Sequence, residues 1–593
     1  LAGMIMGRKI DKYNFLILSV FCLLLPASAV WSQSAIQPRN LEAIGLRQLA
    51  NRCPELTGQR AKLAIVELCE PAPLDQPAYN FLPNLVHRSL YSADWLNFYY
   101  YQNPACPAGF SRHASLIAGI LLGEDGSAQY QGLGGFYYQG IAPWAAVSVY
   151  EANWFIYKRV LAGNLQSTAP DDVINISWGA DADDIITQWW QRGIDALVER
   201  EGSIVVAACG NGQPQDGFKS ICKPSWGYNV ISVGSARGLG GYPDCLLYVG
   251  PPTDRHSTSG PTDDGRCKPD VIAPGLALGP SNDSTNDYYL DEKAVDYSSF
   301  AAPQVAGAAA LLIDAARRNN IPNGDDPRLI KALILNGANK LIGWHKGAAD
   351  SHDDSFSPLD FRQGAGLVNV FNSHRELLAG LAEPNSPAGN IGWDLAQVAL
   401  DPNDPDSQKI YYLPQPLSPQ KYLKATLCWY RHYDSGRTFN PAVLNNLTLS
   451  LWAVDEQGHL TDILAASDSV LDNLQHIYYT CDVEITRAAL VVSGADFDNS
   501  ASGVPHEGYA LAYEANADNW PGDQLAGDIN ADGIVDENDL MQFLELAGAD
   551  NNDFSDLNSR DPNTARLLDE EVMNNIVEQW QQKSPWYLPA ADD

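Results

Sequence analysis

Tyr297-Ser298-Ser299-Phe300-Ala301-Ala302-Pro303-Gln304-Val305-Ala306-Gly307-Ala308-Ala309-Ala310-Leu311-Leu312 is the stretch on which the reading of this chain turns. A serine pair leads into small residues and then an Ala/Val/Leu run with helical period, which predicts a buried helix opening near Ser299. Pro303 is expected in the first turn, where a missing N–H has no helical partner. A hydroxyl so placed sits among unpaired backbone N–H groups at the positive end of the helix dipole, a setting that favours developing negative charge. Taken alone, the same residues describe an ordinary helix cap.

Outward from that stretch, the chain alternates strand-like and helix-like segments. Lys62-Leu63-Ala64-Ile65-Val66 is a short apolar run ended by Glu67. Similar runs occur at Ala146-Val147-Ser148-Val149-Tyr150, Val173-Ile174-Asn175-Ile176-Ser177, Ile204-Val205-Val206-Ala207-Ala208 and Val230-Ile231-Ser232-Val233. Helical periodicity lies between them, at residues 113–122 and 184–200. This pattern predicts an α/β fold with a mainly parallel sheet and helices on both faces. In such sheets ligands gather beyond the carboxyl ends of the strands. Glu67, Ser177 and Asn211 all fall there, so one site is expected to hold them. Residues 71–107, rich in Pro, Tyr and Asn, are expected to be surface loops.

With 593 residues the chain is too long for a single core, and three or four domains are expected. A formal charge of −34 argues against nucleic-acid binding. Residues 1–29 read as an export signal: Arg8, Lys9 and Lys12 precede an apolar run that ends at Ala27-Ser28-Ala29. The run is shorter than the roughly 20 residues that span a bilayer. A secreted protein with no stable membrane anchor after cleavage is therefore expected. Nine cysteines remain once Cys22 leaves with the signal. Cys209–Cys222, Cys245–Cys267 and Cys428–Cys481 are neighbours in sequence, but spacing alone does not fix any pairing. Residues 30–60 form a short polar segment, 61–380 the α/β domain, and 390–516 a run of alternating strands that predicts a β-sandwich.

Glu67, His113, Asn211 and Ser299, in this order, resemble the subtilisin-like (subtilase) serine proteases, whose triad runs acid, His, Ser. Gly140-Ile141-Ala142-Pro143, Ala207-Ala208-Cys209-Gly210-Asn211-Gly212 and the stretch from Ser259-Gly260-Pro261 to Ala273-Pro274-Gly275 share the likeness, which covers about residues 60–378. The resemblance implies Ser299 as nucleophile, His113 as base, Glu67 as the acid, and Asn211 as oxyanion donor. It further implies Ser177, Trp178, Gly179, Cys209 and Gly210 as residues that bind a protein or peptide substrate. The chain departs from the family in several places. Glu67 stands where Asp is usual and is longer by about 1.5 Å of C–C bond. Ala114 and Tyr297 stand where Gly is usual, and Gln304 where His is usual. Residues 30–60 are short for the family's folded pro-domain. A serine endopeptidase is the expected function; the alternative is an impaired subtilase fold serving as an extracellular protein-binding or scaffold component. The sandwich region resembles domains that follow subtilase catalytic domains.

The acidic tail, residues 523–583, carries a metal-binding pattern. Asp528, Asn530, Asp532, Asp536 and Asp539 space oxygen side chains as in an EF-hand loop, Gly533 permits the turn, and Ile534 offers its carbonyl. The loop and the helical stretch after it resemble a dockerin repeat. That likeness implies a Ca²⁺ ion as the cofactor and a cohesin-like protein as a partner of the tail. No organic cofactor is expected.

Overall fold

A computed structural model describes residues 40–517 apart from 42, 72–78, 102–108, 131–133, 163–169, 213–220, 239–248, 251–256, 276–277, 291–296, 342, 349–352, 354–355, 386–388, 437 and 495–504. The signal-like segment and the calcium-loop segment lie outside these residues.

Seven parallel strands form the main sheet: β1 (Lys62–Glu67), β2 (Asp94–Tyr99), β3 (Ala146–Glu151), β4 (Val173–Ile176), β5 (Ile204–Ala208), β6 (Ile231–Gly238) and β7 (Val271–Pro274). Their order across the sheet is β7-β6-β5-β4-β1-β3-β2, and the short strand Val249–Gly250 pairs antiparallel with β6. Alternation along each strand feeds two cores. Leu63 and Ile65 join the large cluster under helices α1 (Arg112–Leu122) and α3 (Ser298–Arg318), whereas Ala64 and Val66 join a second cluster with α2 (Ile185–Glu201) on the opposite face. Two-fold parity therefore puts Glu67 on the α1/α3 face. Placement of the site begins with that parity.

Local chemistry sets the helix ends. Asp184 caps α2 by accepting from the N–H groups of Ile186 and Thr187, and Gly202 closes it at φ 68°, a conformation that costs glycine nothing. Ser111 caps α1, accepting from Ala114 N–H at 3.1 Å. Helix α3 is buried from Ser298 to Ala316, which its run of alanines permits. Pro303 lies in its second turn rather than its first. The N–H it lacks is the one that would have met the Ser299 carbonyl, so that carbonyl has no i+4 helical donor.

Three further expectations change. Within residues 71–107, Asp94–Tyr99 is the edge strand of the sheet, paired in parallel with β3. It is mostly exposed and carries no buried apolar run, which is why sequence reads as loop there. Within 30–60, a helix spans Leu46–Arg52, and Leu41, Ile44, Leu46 and Leu49 join the main core. The polar segment is thus an integral layer of the α/β body. Cys209, Cys222, Cys267, Cys428 and Cys481 are unbridged thiols. Cys428 stands opposite Leu474, while Thr480, next to Cys481, stands opposite Tyr422. About six strand residues, or roughly 20 Å, separate the two, well beyond disulfide reach. Cys209 and Cys222 are joined through backbone, but the first sulfur faces Thr258 O at 3.2 Å and the second Ala208 O at 3.4 Å.

Beyond helices α4 (Pro327–Gly337) and α5 (Val370–Ala379), the chain forms eight antiparallel strands: β8 (Ile391–Ala399), β9 (Gln408–Tyr412), β10 (Tyr422–Trp429), β11 (Leu447–Val454), β12 (Leu460–Ser467), β13 (Leu474–Thr480), β14 (Ala488–Gly494) and β15 (His506–Ala517). They make two sheets, β8-β15-β10-β13 and β9-β14-β11-β12, that share one apolar cluster. Helix α4 packs on β10 and β15. Polar side chains continue that contact: Asn336 bonds Thr426 Oγ1 at 3.1 Å and Glu376 of α5 at 2.9 Å, and Lys424 lies 4.0 Å from Glu376.

His432 ties α2 to this second body, with Glu199 at 2.8 Å on one ring nitrogen and Glu507 at 3.0 Å on the other. Those two hydrogen bonds raise its pKa to about 10. A raised folded-state pKa stabilises below the unfolded value of about 6.5 and the gain is lost as pH climbs through 10. His432→Gln should therefore lower the melting temperature most near pH 6, with the gap from wild type closing above pH ~10; a pH-independent gap in scanning fluorimetry would contradict this.

Candidate active site

Glu67 ends β1, and His113 is the second residue of α1. Glu67 Oε2 and His113 Nδ1 are 2.9 Å apart. Glu67 is 2% exposed, and the imidazole keeps 30% of its surface open. Glu67 Oε1 has no hydrogen-bond partner among the described residues. The longer acid thus reaches the imidazole at ordinary hydrogen-bond length, because a buried strand end sets where its stem begins.

Ser299 is the second residue of α3, 8% exposed, and the neighbouring Phe300 ring lies 5.7 Å from the His113 ring. Glu67, His113, Asn211 and Ser299 all line one cleft of about 380 Å³, together with Ser177, Trp178, Gly179 and Gly210. The sheet brings together what its strand ends promised. Cys209 lies just behind, fully buried, its thiol pushed up by burial. Leu68, Asp181, Ala208, Cys222, Thr258 and Ser298 line the same cleft and were not singled out from sequence. Ser298 had a signal, as the first of the serine pair. Cys222 entered the sequence reading only as a neighbour of Cys209, which does not place it at a cleft.

Asn211 is held by its carbonyl end. Its Oδ1 accepts from Ser298 N–H at 2.8 Å and lies 2.9 Å from Ser298 Oγ. The same Oγ is 3.0 Å from Gly210 O, so its single proton serves one acceptor at a time, while it accepts from Gly210 N–H at 3.1 Å. With Oδ1 so engaged, the amide Nδ2 is left for other partners. Gly210 has φ +114°, and a Cβ there would stand 3.1 Å from Cys222 Sγ. Only glycine suits that bend.

The departures resolve locally. Ala114 is fully buried in α1. Tyr297 stands just before α3, with extended backbone and no side-chain cap. Gln304 is fully buried, donating to Pro274 O at 2.6 Å and Phe300 O at 3.1 Å. It therefore ties α3 to the end of β7 and is not among the residues lining the cleft.

With this geometry in place, comparison with known proteins is direct. Residues 81–366 match the sequence model of the Subtilase family. The match covers a little under half of the chain. The match takes in His113, Asn211 and Ser299 and begins after Glu67. Pyrolysin from Pyrococcus furiosus is 30% identical over 267 residues, 41% of this chain and 18% of its own length. Subtilisin-like protease SBT6.1 from Arabidopsis thaliana is 27% identical over 277 residues, 45% of this chain and 22% of its own. The chain thus spans less than a quarter of either curated relative. Among solved structures, the prenylagaramide maturation protease PagA is 20% identical, with a TM-score of 0.37 over 56% of this chain and 98% of its own.

Ser298→Ala should leave the Gly210 N–H without its acceptor, a loss of about 1–3 kcal/mol where the group is buried and less where water reaches it. The measurable result is a lower denaturation midpoint; an unchanged midpoint would show that the serine tether contributes nothing.

Proposed function

We propose that the chain is a secreted serine endopeptidase that hydrolyses peptide bonds in proteins. The observation that carries this reading is the 2.9 Å Glu67–His113 pair at the cleft shared with Ser299 and Asn211. In this reading Ser299 Oγ attacks the scissile carbonyl. His113 Nε2 takes the hydroxyl proton and later delivers it to the leaving amine. Glu67 fixes the imidazole tautomer by accepting from Nδ1 and stabilises the imidazolium that forms. Asn211 Nδ2 and the Ser299 backbone N–H, at the start of α3, meet the negative charge that develops on the carbonyl oxygen. Ser177, Trp178 and Gly179 pair with the substrate backbone as an added strand, with Gly210 on the facing wall and Cys209 behind it.

The two antiparallel sheets are, in this proposal, a β-sandwich domain over residues 390–516, following a catalytic domain at 61–380. The tail, residues 523–583, is proposed to be a dockerin-like module. Its donor set fits calcium: the side-chain oxygens of Asp528, Asn530, Asp532, Asp536 and Asp539 and the Ile534 carbonyl would hold a hard cation, stiffening the loop for a cohesin-like partner. Calorimetric titration should detect calcium binding that Asp532→Ala abolishes; no heat with the intact chain would remove the metal from the account.

A fluorophosphonate probe should label wild type and not Ser299→Ala. Asn211→Ala should lower turnover on casein about 10²–10³-fold, the cost of losing this kind of donor in subtilisin. No labelling of the signal-free protein, with or without calcium, would favour a binding or scaffold role instead.

A further inference from the structure

The acid of this site hangs from few contacts. One Glu67 oxygen meets His113 and the other has no partner among the described residues. Glu has one more rotatable bond than the usual Asp, so the carboxylate has more ways to miss. Its position then depends on where the side chain starts.

That start is held from the other side of the sheet. Strand β4 ends at Ile176, whose partner on β1 is Val66. Just beyond, the chain turns and the Trp178 indole N–H donates to the Val66 carbonyl at 3.0 Å, in a buried setting. This carbonyl belongs to the peptide plane that also contains the Glu67 nitrogen and Cα. A bond to the oxygen therefore orients the plane from which the Glu67 side chain departs. Trp178 is itself fixed, packed in the cluster on the α2 face with its ring 5.8 Å from that of Trp190 in α2. It is 9% exposed, so most of its surface serves this packing.

We propose that Trp178 is a positioning residue for the Glu67–His113 pair, holding the Val66–Glu67 peptide plane at the setting that suits a glutamate. The inference rests on the serine-peptidase reading of the cleft and adds a second role to a residue read there as part of the strand that binds substrate. It has a counter-intuitive consequence. With the plane set for Glu, an Asp at position 67 stops short of the imidazole.

Trp178→Phe keeps a packed ring and removes the N–H. It should lower kcat about tenfold with KM within twofold, and shift the acid limb of the kcat/KM profile to lower pH, since a looser carboxylate stabilises imidazolium less. Glu67→Asp should also lose about tenfold in kcat, and by less when Trp178 is already Phe. A rise in KM alone, with kcat and the pH limb unmoved, would make Trp178 only a substrate-binding residue and overturn the proposal. So would an Asp variant as active as wild type. If wild type has no turnover beyond Ser299→Ala, the peptidase reading fails separately, and proton NMR still tests the tether. The downfield Nδ1–H resonance, assigned by its absence in His113→Ala, should move upfield or exchange-broaden in Trp178→Phe; an unchanged resonance overturns the proposal.

Discussion

A carboxylate at the end of one buried strand meets an imidazole at the start of one helix, and the rest of the site is arranged about that contact. The contact exists because β1 is central in the sheet and alternates faces with period two. A one-residue slip in β1 would send Glu67 to the α2 face and empty the site of its acid. Burial on both faces prevents the slip: Leu63 and Ile65 are committed to one cluster, Ala64 and Val66 to the other.

The other members are fixed by equally local means. Ser111 starts α1 and so sets the turn that carries His113. Asn211 is aimed by the Ser298 N–H and hydroxyl, which occupy its carbonyl oxygen. Gln304 binds α3 to the β7 end from within the core. The second body of two antiparallel sheets meets α4, α5 and α2 through polar contacts, Asn336 with Thr426, Glu376 with Lys424 and Glu199 with His432. A buried ion pair adds little net stability, but removing one partner leaves a costly uncompensated charge.

Much of this was legible in the residues. The short apolar runs gave the parallel strands, the acid–His–Asn–Ser order gave the cleft, and the alternating run after residue 390 gave antiparallel strands. What escaped had physical reasons. Asp94–Tyr99 has a mostly exposed edge position, so no apolar run marks it. The helix Leu46–Arg52 is too short to show a period, and its burial comes from the main core rather than from its own composition. Proximity along the chain suggested Cys428–Cys481, but an antiparallel register carried the two to opposite ends of a strand. Cys222 and the Ser298–Asn211 tether are long-range contacts that no local pattern encodes.

The account stands on Ser299, His113 and Glu67 acting on one substrate carbon. A crystal structure with a peptidyl boronic acid tests this most directly. The predicted result is a tetrahedral boronate on Ser299 Oγ, with His113 Nε2 and Asn211 Nδ2 each within hydrogen-bonding distance of the adduct. A boronate that is absent at saturating inhibitor, or bonded away from Ser299, would contradict it.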